Sequence, residues 1–418
     1  MAYALGVVLF ALGILISILL HEAGHMGTAK LFGMKVTQYF AGFGPTLWSF
    51  RRGETEYGFK AIPAGGFVKI IGMTPLEDDE EVAPEDKKRV FWRKPLWQRT
   101  IVLSAGSVTH FILGFLILWF TAVFVGVNNP AYAHALEESP KSTRVDVQPC
   151  VITGNVERLC RDSDPASPAR KAGLHDGDKI TAIDGKRLSD YAGLVKAIRA
   201  TEPGTPTKLT YERGGASHTV TVELVPVKRQ LDPESQKLTT VSALGVSTYV
   251  DPSIPATVTY GPVDSVGVAG QYIGNMFVGT FHALAKFPEK VPKLFSALAG
   301  EKRDPETPIS VVGASRLGGE IVERSVWPLF FMLLAVLNLF VGIFNLFPLL
   351  PLDGGHIAIA WFEKARSWFY ARLGKPDPGR VDYLKLMPLT YAVIIIFGLF
   401  TVLTIAADIV NPIELFAR

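Results

Sequence analysis

Four long apolar runs limit what this chain can fold into more than any other feature. They cover Ala4 to Leu20, about Thr100 to Val127, Val326 to Phe347, and Leu389 to about Ala407. A nearly uncharged run of roughly 18 or more residues is long enough to cross a bilayer as a helix. The composition agrees, with 48% hydrophobic and 19% charged residues in a chain of 418. The expected fold class is a multi-pass α-helical membrane protein with four spans. The first run leads directly into His21, with no basic segment before it and no small-residue cleavage site, so it is expected to remain as a span.

Basic residues orient the spans. Lys30, Lys35, Arg51, Arg52, Lys60, Lys69, Lys87 to Arg89, Arg93, Lys94 and Arg99 lie between the first two runs. Lys364, Arg366, Arg372, Lys375, Arg380 and Lys385 follow the third. Positive charge near span ends marks the cytoplasmic side, and four spans put both loops there. Both termini and the stretch from about Asn128 to Trp327 then lie outside the cytosol. A net charge of +3, dispersed around the spans, argues for no nucleic-acid partner. The acidic stretch Glu77 to Asp86 reads as a solvated surface of the first cytoplasmic loop.

Within the outer stretch, Val145 to Val227 reads as a compact β-rich domain. Short strands such as Lys179 to Ile183 and His218 to Val225 are split by turns at Asp184-Gly185 and Arg213-Gly214-Gly215, with one helix near Tyr191 to Ala200. The run Ser167 to Ile180, followed by Ile183-Asp184-Gly185, resembles a bacterial PDZ domain, a fold that binds extended peptides or chain ends along a sheet edge. Cys150 and Cys160 both fall here, and a disulfide or two free thiols are equally open. From Ser265 to Ala299 an apolar pattern with three lysines suits an amphipathic helix on the outer membrane surface, or a short extra span. The expected division is 1–127 and 326–418 as two membrane halves, 128–228 as the outer domain, and 229–325 as a linker with the amphipathic helix.

The chemistry is concentrated at His21-Glu22-Ala23-Gly24-His25. Two histidines four positions apart on a helix point from one face, one turn apart, as a single zinc ion requires. Zinc brings a water toward neutrality in pKa, and Glu22 is placed to take its proton as the water attacks an amide carbonyl. Three ionisable side chains closing a lipid-buried run are costly without partners and a purpose. A catalytic zinc takes three protein ligands, and Asp353, in Asn345-Leu346-Phe347-Pro348-Leu349-Leu350-Pro351-Leu352-Asp353-Gly354-Gly355, is the candidate for the third. Pro348 and Pro351 break the helix there, and Asp353 could instead cap the helix that begins near Gly354.

With these motifs assembled, the chain resembles the site-2 protease family of intramembrane zinc metalloproteases, in the bacterial subgroup with a PDZ insert. The resemblance runs nearly the full length. It rests on His21 to His25, Gly42-Phe43-Gly44-Pro45, Pro63 to Val68, the PDZ signature, Pro308-Ile309-Ser310, and Asn345 to Gly355. It implies one zinc ion held by His21, His25 and Asp353, Glu22 as general base, and Asn345 holding the substrate backbone or its developing oxyanion. Two departures stand out. The Asn-containing Ala-Gly-Pro motif expected on the second span reads Ala105-Gly106-Ser107-Val108-Thr109-His110, which makes His110 a helix-packing residue or a support for the site. The outer stretch also has room for one PDZ domain where the best-known Gram-negative members have two.

A cleft for such chemistry must admit water, and His21 is expected at the inner, cytoplasmic end of the first span. The stretch Val36 to Ile71, with Gly42, Gly44, Gly65 and Gly66, reads as a membrane-associated β-hairpin loop whose exposed edge could add an unwound substrate as another strand. The family resemblance further implies a setting in the bacterial cytoplasmic membrane. The substrates would be single-span membrane proteins, such as anti-sigma factors and remnant signal peptides. An upstream site-1 type protease would cut first, and the PDZ domain would contact an extracytoplasmic peptide or chain end.

Overall fold

The computed structural model describes residues 1–73, 82–153, 160–231, 238–301 and 303–416. Ten α-helices follow in chain order among these residues: α1 (Ala2–Leu31), α2 (Leu96–Phe120), α3 (Pro130–Glu138), α4 (Pro168–Lys171), α5 (Tyr191–Ala200), α6 (Asp264–Leu298), α7 (Val311–Glu323), α8 (Trp327–Asn345), α9 (Asp353–Arg372) and α10 (Met387–Val410). The chain forms two compact units, one of residues 1–125 with 260–415, the other centred on 126–259.

The first unit is a helical bundle. Four helices are long and apolar enough to cross a bilayer: α1, α2 with its continuation to Val125, α8 and α10. These four helices mark a membrane protein, and they fall where the four apolar runs were expected. Small residues let the helices approach closely, as bilayer packing favours. A side chain on Gly6 of α1 would strike the Gly318 carbonyl and Val322 of α7, and one on Gly24 would strike Thr109 and the Ala105 carbonyl of α2. The first helix also runs further than the apolar pattern suggests. It continues ten residues past His21 to Leu31, so His21 lies within the helix and not at its inner end.

The 265–299 segment is neither detached from the bundle nor among the four helices that qualify as spans. It is part of α6, a 35-residue helix that contains Pro288 and Pro292. Ala269 packs with Leu118 of α2 and Ala335 of α8. Further along, the Phe277 ring meets Phe111 at 5.4 Å and the Phe287 ring meets Phe400 of α10 at 4.9 Å. Its helical end is tied to α10 by Asn411, whose side chain donates to the Ala297 carbonyl at 3.1 Å.

Between α1 and α2 the chain forms β1 (Val36–Arg52) and β2 (Thr55–Ile70). They make more than a simple hairpin. Residues 36–41 pair with 66–70 on one side and with 56–59 on the other, while 46–52 pair with 55–60. The bend falls at Gly42 and Gly44, both at φ +86°, where a side chain on Gly42 would meet the Ile62 carbonyl at 2.6 Å. Tyr39 Oη donates to the Leu19 carbonyl at 2.7 Å and Lys30 Nζ to Tyr57 Oη at 2.7 Å, which fasten the sheet to α1. Of the acidic stretch, 77–81 lies outside the described residues. Asp86 is not solvated: it is 4% exposed, paired with Lys35, and 3.4 Å from Arg89.

The second unit holds a four-stranded antiparallel sheet, β6-β5-β7-β8, in chain order β5 (Lys179–Ile183), β6 (Lys186–Arg187), β7 (Pro206–Arg213) and β8 (Ala216–Glu223). It is preceded by β3 (Val127–Asn128) and β4 (Val145–Val147) and followed by β9 (Val225–Gln230), β10 (Leu238–Ala243), β11 (Val246–Thr248) and β12 (Thr257–Val258). One core joins the sheet to α4 and α5: Ile180, Ile183, Leu209 and Val222 pack with Ala169 of α4 and Leu194 and Ile198 of α5. The unit continues past residue 228, because β10, β11 and β12 pair back onto β9, β4 and β3. The two cysteines, left open by the sequence, form a disulfide with Cα atoms 5.9 Å apart.

Candidate metal centre

Helical periodicity on α1 stacks His21 and His25 on one buried face. Their Nε2 atoms lie 3.1 Å apart. Asp353 Oδ2 reaches the pair from across the bundle, 3.4 Å from His21 Nε2 and 3.3 Å from His25 Nε2. These three donors are the metal-binding group found among the described residues. A tetrahedral zinc with bonds of about 2.0–2.1 Å spaces its ligand atoms by about 3.3 Å, which is the spacing here.

Two further observations fit a metal. Asp353 Oδ2, one of the three donors, is buried without a hydrogen-bond partner, a costly state unless a cation completes the group. His25 Nδ1 lies 2.7 Å from the Val102 carbonyl of α2. Donation of the Nδ1 proton to that oxygen leaves Nε2 as the metal-facing lone pair and fixes the ring.

The connection between α8 and α9 delivers Asp353. Prolines at 348 and 351 end the helical run, and Gly354 and Gly355 let the chain turn back on itself. A side chain on Gly354 would lie 2.2 Å from the Leu346 carbonyl oxygen, and one on Gly355 would lie 2.6 Å from the Leu349 backbone. The alternative of capping is not observed. Leu352 is the cap residue of α9, the helix start has no side-chain capping bond, and Asp353 points at the histidines instead.

Gly106 of α2 completes the cradle. A Cβ placed on it would sit 2.3 Å from His21 Cε1 and 2.5 Å from His25 Nε2. One turn on, His110 is buried, its Nδ1 2.9 Å from Asn338 Oδ1 of α8 and its ring 5.0 Å from that of His21. His110 therefore combines both readings, packing α2 on α8 while buttressing the His21 ring. Asn338, 1% exposed, was not singled out from the sequence. The available signal was a polar side chain inside an apolar span.

Glu22 is half-buried beside the histidines, and β2 passes directly over it. A Cβ on Gly66 would lie 3.5 Å from Glu22 Cγ. The remaining sequence candidates sit elsewhere. Gly42 and Gly44 shape the bend of β1, and the glycine next to Glu22 is Gly66. Asn345 is the half-buried last residue of α8, and no hydrogen bond among the described residues joins it to the three ligands.

Comparison with known proteins agrees with this geometry. The family description "Peptidase family M50" matches residues 9–373. "Zinc metalloprotease Rip1" of Mycolicibacterium smegmatis is 41% identical, with all of both chains covered. The protein of the same name from Mycobacterium tuberculosis is 39% identical, again over all of both chains. Among solved structures, the PDZ domain of an SdrC-like protein from Listeria monocytogenes is 22% identical, covering 25% of this chain and 87% of that one. Its TM-score of 0.17 is too low to bear on the fold of the second unit. A family match over most of the chain, full-length relatives near 40% identity and a three-donor cradle for zinc lead to one conclusion: the chain belongs to peptidase family M50, the site-2 protease family, and is a zinc metalloprotease.

Proposed function

We propose that this protease hydrolyses peptide bonds within the transmembrane segments of single-span membrane proteins, with Glu22 as general base and His21, His25 and Asp353 as zinc ligands. One observation carries the reading: the three donors and Glu22 converge inside a bundle whose helices α1, α2 and α8 are long and apolar enough to span a bilayer. Bound zinc supplies Lewis acidity toward an amide carbonyl and a water at neutral pH. Glu22 takes the proton of the attacking water and returns it to the departing amine nitrogen. The buried histidines keep fixed rings during this exchange, His25 through Val102 and His21 through His110. Asn345, at the end of α8, is the candidate group for holding the substrate backbone or its oxyanion.

A transmembrane helix must be unwound before its amides can be attacked. The strand 66–70 supports a means of holding it, since it lies beside Glu22 and its outer edge pairs with no other strand among the described residues. An extended substrate added there would run past the base. The basic connections support an orientation with the active site toward the cytoplasmic side and the β-rich unit, read as PDZ-like, outside. In that arrangement the β-rich unit contacts or excludes the outer part of a substrate already trimmed by a site-1 type protease. Anti-sigma factors and remnant signal peptides are the substrate classes this implies.

The test is Glu22→Gln in the purified, zinc-loaded protein. Zinc content equal to wild type with loss of cleavage of a single-span test substrate is expected. Wild-type cleavage by this variant would remove Glu22 from the base role.

A further inference from the structure

We propose that the C-terminal half of α9 is a docking surface for the anionic face of a lipid bilayer, and that this docking helps position Asp353. The inference rests on reading α8 and α10 as spans and Asp353 as a metal ligand. From Trp361 onward α9 exposes one aromatic stripe: Trp361 is 55% exposed, Phe362 57%, Trp368 55% and Phe369 54%. Positions 361, 362, 365, 368, 369 and 372 share this side of the helix by their three-, four- and seven-residue spacing. Such a stripe facing water is unfavourable, and nothing else in the described protein covers it.

The chain itself says what does. Candidate spans end at Asn345 and begin at Met387, so the connection carrying α9 leaves and re-enters the same face of the bilayer. An aromatic stripe flanked by basic residues is the pattern of a helix lying in the headgroup region. Lys364, Arg372 and Lys375 are exposed along it. Arg372 lies 4.0 Å over the Trp368 ring and Arg366 5.6 Å over Phe362, which puts guanidinium charge at the level of the aromatic rings. Glu363 turns inward, accepting from Arg99 at 3.3 Å and from the Val381 amide at 3.0 Å, while the exposed Asp377 accepts from Ser367 at 2.8 Å and is outnumbered by Lys364, Arg366, Arg372 and Lys375. The outward face is left cationic, and lipid phosphates complement it.

The surface is mechanically joined to the metal site. Asp353 is the first residue of the same 20-residue helix, and no proline interrupts it. The Arg99–Glu363 pair anchors the middle of the helix to α2, so a change of tilt at the aromatic half moves the first turn about that anchor. A tilt of the docked half then reaches Asp353.

The experiment uses the full-length protein in lipid nanodiscs, labelled with a polarity-sensitive fluorophore at Ala365→Cys. In discs containing phosphatidylglycerol the label is expected to be quenched by brominated acyl chains, and much less so in pure phosphatidylcholine. Each basic residue near an anionic surface favours docking by about fivefold, so Lys364→Gln, Arg372→Gln and Lys375→Gln together are expected to abolish the difference. A label equally water-exposed in both lipids, or a triple variant that keeps the difference, would overturn the docking surface. Zinc loss to a chelator is expected to be about tenfold slower in the anionic discs for wild type, the size of effect typical of groups that orient a metal ligand. Equal rates would overturn the link to Asp353. Protein that docks but never binds zinc would instead reject the metal-site reading, so the two failures are distinguishable.

Discussion

Replacing Gly106 with alanine tests whether the site is a metal cradle closed by helix packing. The new Cβ would lie 2.3 Å from His21 Cε1, 2.5 Å from His21 Nδ1 and 2.5 Å from His25 Nε2. Non-bonded carbon atoms settle at about 3.5–4.0 Å, so one imidazole or both must retreat by about 1 Å. Withdrawal of α2 instead would open the close packing at Gly24 of α1, where an added Cβ would lie 2.5 Å from Thr109 Oγ1 and 2.8 Å from the Ala105 carbonyl oxygen. Metal sites keep their ligand distances to within about 0.2 Å, a tolerance far smaller than this displacement. Zinc affinity is therefore expected to fall by at least about 100-fold, or about 2.7 kcal/mol. The assay is zinc retained by the purified protein across graded chelator concentrations, with cleavage of a single-span substrate measured in parallel. Gly27→Ala is the control, since that position has nothing within 4 Å and alanine favours the helix. Wild-type zinc affinity in a folded Gly106→Ala protein would refute the argument.

Three other outcomes are expected. Arg303 and Asp408, 2.6 Å apart and each with a side chain only 2% exposed, join the α6–α7 loop to α10. Asp408→Ala leaves a buried guanidinium unpaired and is expected to cost about 3–5 kcal/mol, read as a lowered thermal inactivation midpoint in detergent; an unchanged midpoint would exclude a structural role for the pair. Asn338→Leu removes the partner of His110 Nδ1 and loosens the support behind His21, so zinc affinity should drop by about tenfold, whereas unchanged affinity would confine the pair to helix packing. In the second unit, burial disfavours the charged form of Asp178, but hydrogen bonds from Arg213 and the His175 amide outweigh it and hold the carboxyl below its ordinary range. A lowered folded-state pKa means this stabilisation is complete above the unfolded value near pH 4 and disappears as pH falls through the folded one. Asp178→Asn should therefore cost about 2 kcal/mol at neutral pH and flatten the acid limb of thermal melts recorded between pH 6 and 2; an unaltered acid limb would contradict this.

Legibility followed the range of the interaction. Span number, the His21–His25 face, and the strand at Lys179–Ile183 with the helix at Tyr191–Ala200 are set by periodicity and turn chemistry within a few residues, and each appears where the pattern put it. The length of α1 beyond His21 was underestimated because its last ten residues are less apolar yet remain helical through packing, with Ala29 buried against Met34 and Val102. The doubled pairing of residues 36–41 was invisible, since a bend at Gly42 looks like an ordinary turn until both partner segments are in place. Asp86 was misjudged because an acidic run looks solvated until Lys35, 51 positions away, closes on one of its members together with the neighbouring Arg89.

The sequence by itself determined the chemistry: two histidines on one helical face with a glutamate beside them, an Asp-Gly-Gly after a proline-broken span, and enough apolar length to bury them. Residue type and local spacing suffice for that, because a metal's preference for donors and a helix's periodicity act over one or two turns. Only the tertiary structure decided how the donors meet. It carried Asp353 to within 3.4 Å of both imidazoles, set Gly106 and the His110–Asn338 pair behind them, and laid Gly66 across Glu22. Those contacts join residues tens to hundreds of positions apart, and they depend on which helix faces touch, which is settled by packing the whole bundle at once.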